Sequence, residues 1–130
     1  MATTHIKTPI PTHITPVSLI QILHSHQPII DALAPGNTAS KLTSGDPATL
    51  ETPCVYNITA PTPIGISTYP LTITNLLDGV DTLAQPKPPV GQLEIRAKWR
   101  VANGELREDV EIEGNFVTRR FVLPVCPVAV

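Results

Sequence analysis

Apolar and charged side chains alternate with a period of two near the end of the chain. Leu93, Ile95, Ala97, Trp99 and Val101 fall on one face, and Glu94, Arg96, Lys98 and Arg100 on the other. That is the pattern of a strand with one buried and one wet side. Asn103-Gly104 follows, a pair suited to a two-residue hairpin turn, so residues 105–114 are predicted to pair antiparallel with the strand before them. The same period runs through residues 54–59 and 69–74, and Asp78-Gly79 makes a turn before residues 80–84. These read as meander strands, with Pro70 at an edge or a position without a ladder bond.

The period lengthens between residues 15 and 33. Thr15-Pro16 is a helix start, a threonine N-cap followed by a proline whose missing N–H costs nothing there. Val17, Ile20, Leu23 and Gln27 share a face beside Leu19, Ile22 and His26, until Pro28 ends the helix or opens a second turn through Ile29, Ile30, Asp31 and Leu33. Pro35-Gly36 closes the segment. Residues 1–11 form a frayed arm or an edge strand, His13-Ile14-Thr15 a short strand, and residues 39–43 another before a loop.

Composition narrows the function classes. The 130 residues suit one domain with one core, and their 15 prolines argue against a helical bundle. Only 15% are charged, against about a quarter in an average soluble domain, so part of the apolar surface is expected to face something other than water. A net charge of −2 gives no field for nucleic acid. No apolar run approaches the ~20 residues of a membrane span, and residues 1–11 lack the regions of a signal peptide, which points to the cytoplasm and to reduced Cys54 and Cys126.

One irregularity directs attention to chemistry. Leu106, Val110, Ile112 and Gly114 share the apolar face of the second hairpin strand, and Glu108 lies among them, with Arg107, Asp109, Glu111 and Glu113 opposite. A carboxylate there is desolvated, which raises its pKa and makes it an acid or base near neutrality; pairing with an arginine is the ordinary alternative. His24 and His26, two apart on a helix, diverge by about 200° and cannot share a metal, so one at most faces inward. His26 is the better proton carrier, with Asp31 to orient it. No metal, nucleotide or serine-hydrolase motif occurs, and no cofactor is called for. Trp99, Tyr56, Tyr69, Phe116 and Phe121 are too few for a nucleic-acid stacking platform. Arg119-Arg120 reads as a solvated pair, whereas Arg96 or Arg107 could hold a ligand's oxygen atoms if strand curvature carries them to a pocket mouth.

Four stretches carry a family resemblance: His24-Ser25-His26 with 30–33 after it, Gly79-Val80-Asp81-Thr82, residues 91–99, and residues 106–110 with Asn115. Together they resemble a fungal domain family of unassigned function, itself similar to the START-like, polyketide-cyclase and lipid-transport superfamily. The match covers roughly residues 12–121, between an arm at 1–11 and an apolar tail at 122–130. It implies an α+β helix-grip-like fold, a curved antiparallel sheet wrapped around the N-terminal helical segment, with a cavity for an apolar or polyketide-like ligand. Pro124 and Pro127 break the long C-terminal helix that such domains carry.

The expected function is a small cofactor-independent cyclase for a polyketide-type intermediate, for example by pyrone lactonisation. Glu108, His26, Asp31 and Arg107 are the expected catalytic residues, and Arg96, Trp99, Tyr56 and Tyr69 the expected substrate contacts. The alternative is a non-catalytic carrier of an apolar metabolite. The apolar tail further suggests a homodimer in which each copy covers the other.

Overall fold

The computed structural model describes residues 2–62, 65–86 and 93–114. Phe116, Arg119, Arg120, Phe121, Cys126 and the 122–130 tail lie outside them, and with them the expectations of a missing helix and a tail-mediated dimer.

The fold is α+β. Its elements are β1 (Ala2–Pro9), α1 (Pro16–His24), α2 (Gln27–Leu33), β2 (Ala39–Ser44), β3 (Pro53–Thr62), β4 (Gly65–Leu76), β5 (Gly79–Ala84), β6 (Leu93–Ala102) and β7 (Glu105–Gly114). All seven strands form one antiparallel sheet in the order β1-β7-β6-β5-β4-β3-β2. Strands β2 to β7 are a meander. β1 adds to the far edge beside β7, so the connection carrying both helices crosses from one edge to the other.

The strongest local signals hold in the structure. Asn103 and Gly104 take φ of 53° and 74°, which closes the β6–β7 hairpin in the register Leu93↔Gly114 through Ala102↔Glu105. Thr15 is extended at φ −82°, ψ 152°, and its Oγ1 accepts from the Ser18 N–H at 3.1 Å, capping α1. The N-terminal arm is the edge strand β1. Pro70 lies in an interior strand, one residue beyond the β4–β5 register that begins at Leu71↔Ala84. His13-Ile14-Thr15 is a correction: Ile14 N–H bonds Pro11 O at 3.0 Å in a turn, and Thr15 must stay outside any strand to cap the helix.

The core lies on one side of the sheet. Ile58, Leu71, Ile73, Val80, Ala97, Trp99, Val110 and Ile112 bury their side chains there with Leu23, Ile29 and Ile30 from the helices. The α1 face is narrower than its periodicity suggests. Leu23 is buried and Leu19 and Ile20 pack at its edge, but Val17 and Ile22 are exposed. Gly79 allows β5 to approach β6, because a Cβ would stand 1.7 Å from the Trp99 carbonyl oxygen.

Candidate functional site

Strand pairing lines up one row of side chains across the core face. Asn75 on β4 faces Val80 on β5, then come Trp99 on β6, Glu108 on β7 and Ile6 on β1. Its buried polar members are Asn75 at the β4 end and Glu108 next to the β1 end.

Glu108 is 4% exposed. Burial raises its carboxyl pKa to about 7, as expected of an acid moved out of water without a cation to compensate. Among the described residues its Oε2 has no hydrogen-bond partner, and neither has Trp99 Nε1. Trp99 stands directly opposite, which brings the two side chains within contact range on the same face. The indole N–H and the carboxyl oxygen therefore do not bond each other, although their strands pair at these two residues on the apolar face.

At the other end, His26 is 1% exposed and fully bonded. Nε2 is 2.7 Å from Asn75 Oδ1, and Nδ1 is 2.6 Å from the Tyr56 hydroxyl. The Asn75 amide is oriented by its own donation to Pro47 O at 2.9 Å, since the reverse orientation would set two oxygens against each other. Asn75 Oδ1 therefore accepts, Nε2 carries the proton, and Nδ1 accepts from the Tyr56 O–H. Burial lowers the His26 pKa, the Asn75 bond opposes that shift, and nearby His24 adds to it, so the ring is neutral near pH 7.

The backbone at His26 explains why helical spacing misplaced it. His26 has φ 69° and ψ −38°, and Gln27 N–H bonds Ser25 O at 2.9 Å, which is a γ-turn of the strained kind. α1 has already ended, and the turn swings the ring under α2 onto the sheet. Both histidines reach the sheet as a result, contrary to the expectation that one at most faces inward. His24 Nε2 lies 2.8 Å from Leu76 O and 3.2 Å from Gly79 O, and so serves the β4–β5 turn.

The other expected site residues divide by face. Tyr56, half-buried, and Tyr69, 8% exposed, lie on the core face of β3 and β4. Asp31 is exposed and accepts from Gln27 at 2.9 Å and Asn37 at 3.0 Å, bonds that lower its pKa; Asn75 rather than Asp31 orients His26. Arg96 projects from the opposite face, paired with Glu94 at 2.8 Å and Glu113 at 3.7 Å. Arg107 is exposed on that face too. The structure therefore joins Glu108 with Trp99, and His26 with Tyr56 and Asn75, while Asp31, Arg96 and Arg107 stand apart from both. Asn75 was missed, although it interrupts the apolar series Tyr69, Leu71, Ile73 as Glu108 interrupts its own.

Among the described residues no group of three or more His, Cys, Asp or Glu side chains could hold a metal ion, and no helix is long and apolar enough to cross a membrane. A scan against protein-family models and searches of curated proteins and of solved structures each return no match.

Proposed function

We propose that the protein is a small acid–base catalyst for an apolar, ketone-bearing ligand of polyketide type, with Glu108 as the proton carrier and Trp99 as the hydrogen-bond donor to the reacting oxygen. The observation that carries this reading is the pair of unmatched polar atoms, Glu108 Oε2 and Trp99 Nε1, on one buried face. Leaving such groups unbonded costs roughly 1–3 kcal/mol each, and a ligand enol O–H that accepts from Trp99 Nε1 and donates to Glu108 Oε2 would recover it. A carboxyl with a pKa of about 7 is suited to taking and returning a proton at neutral pH. The helix-grip reading belongs to the same proposal. It is supported by the order strand, two helices, six-strand meander, and by the first strand's return to the last.

A thioester carrying two further ketones fits this toolkit. Glu108 removes a proton from the carbon between the ketones, and the Trp99 N–H stabilises the enolate oxygen. That oxygen attacks the thioester carbonyl, the carbon–sulfur bond breaks, and the thiol departs with the proton returned by Glu108. The product is a pyrone, and no oxidant or cofactor enters the balance.

The test follows pyrone absorbance from a diketo N-acetylcysteamine thioester over the spontaneous background. The wild type is expected to accelerate ring closure, with a rate that rises with pH through about 7 as Glu108 ionises. Glu108→Gln should lower the accelerated rate on the order of 10²–10⁴-fold while ligand affinity stays within a few-fold. A Gln variant as active as the wild type would refute a catalytic Glu108 and leave the carrier reading.

A further inference from the structure

The Tyr56 hydroxyl is held in a state that leaves it one kind of partner. Pro47 O fixes the Asn75 amide, Asn75 fixes the His26 tautomer, and His26 Nδ1 takes the only proton Tyr56 can donate. A phenol oxygen donates once and can accept twice. Among the described residues, Tyr56 Oη has no bond besides the one to His26. Tyr56 is also half-buried where His26 is sealed, and it lies on the core face in the row Tyr56, Leu71, Ala84, Ile95, Ile112.

We infer that Tyr56 Oη is a second polar anchor for the ligand, and that it accepts a hydrogen bond from a ligand hydroxyl or enol O–H and rejects a ketone or ether oxygen at that place. This rests on the proposed function for the existence of a ligand on this face, and it adds the chemical class of the ligand's far end. Tyr56 on β3 and Glu108 on β7 are four strands apart, about 19 Å along the sheet before their side chains reach inward. The face between them includes Leu71, Ile73, Ala84, Ala97 and Val110, and the Thr82 hydroxyl there already donates to Ala97 O at 3.4 Å. Those apolar side chains belong to the packed core with Leu23, Ile29 and Ile30, so a ligand meets Tyr56 at the half-buried β3 side of the core, with its hydroxyl end there, rather than by lying along the sheet. His26 and Asn75 are positioning residues for that acceptor. Burial keeps His26 neutral and thus able to receive the Tyr56 proton.

Two measurements test this. The ring nitrogens of His26 in ¹⁵N-histidine-labelled protein should show Nε2 protonated and Nδ1 bare at pH 7; the opposite tautomer would make Tyr56 the acceptor from His26 and overturn the inference. Binding of 2-naphthol and of 2-methoxynaphthalene, which lacks the O–H, is then compared in wild type and Tyr56→Phe by calorimetry. The substitution is expected to weaken 2-naphthol by about 5–30-fold, the worth of one hydrogen bond of about 1–2 kcal/mol, and to leave the ether unchanged. Equal weakening of both probes, no weakening of either, or no binding of 2-naphthol would overturn it. Loss of the Tyr56 effect in a protein whose Glu108→Gln variant is inactive sinks this anchor alone. An intact Tyr56 effect with a fully active Gln variant sinks the catalytic reading alone.

Discussion

The two ends of one row across the sheet treat a buried polar side chain in opposite ways. His26, at the β4 end, has both ring nitrogens bonded, whereas among the described residues Glu108, toward the β1 end, has an unbonded Oε2 and its cross-strand neighbour Trp99 an unbonded indole N–H. A satisfied buried group holds its neighbours in place, and an unsatisfied one lowers the stability of the free protein. On the proposed function, the contrast separates scaffold from reaction centre: the His26 end orients, and the Glu108 end meets the ligand.

The two ends also respond oppositely to pH. His26 has a lowered pKa, so its contribution to stability is present above the unfolded value of 6.5 and is lost as pH falls through the folded value. Glu108 has a raised pKa. The folded state holds its proton more tightly than the unfolded chain does, so stability declines as pH rises from 4.5 to about 7 and stays reduced above that.

Removing the ring at the satisfied end should have the largest effect on stability. His26→Ala leaves Asn75 Oδ1 without its donor, opens a void and retains the strained turn, for an expected loss of about 3–4 kcal/mol in urea unfolding. His26→Gly relieves the turn, and despite deleting one carbon more it should be less destabilising than Ala by about 1 kcal/mol. A Gly variant no more stable than the Ala variant would show that φ 69° carries no strain. At the unsatisfied end the sign reverses. Glu108→Gln should stabilise the protein at pH 8 relative to its effect at pH 4, by up to about 3 kcal/mol, because the amide cannot ionise. An equal effect at both pH values would mean that Glu108 ionises as freely in the fold as in water.

Much of this arrangement was legible in the sequence, and the reason differs by element. The β6–β7 hairpin could be read to the residue, because Asn103-Gly104 fixes the turn and a one-residue slip would turn Trp99 and Val110 outward. The same alternation put Glu108 on the apolar face and Arg96 and Arg107 on the wet one. A role for those arginines at a ligand required a strand curvature that periodicity does not encode. Asp31 was paired with His26 because helical spacing was carried through Ser25. The γ-turn at His26 breaks that spacing, and its true partner, Asn75, lies 49 positions away on a strand. A polar residue inside a period-two apolar series is the reliable signal: it marks Glu108, and the same reading applied to β4 finds Asn75 after Tyr69, Leu71 and Ile73.

The most direct test is a titration of the Glu108 side chain itself, following its carboxyl ¹³C resonance in the free protein. A midpoint near 7 is expected, with Trp99→Phe leaving that midpoint in place, because burial rather than the indole N–H raises it. A midpoint in the ordinary glutamate range near 4.5 would place the carboxylate in water and contradict the assignment of Glu108 as the proton carrier.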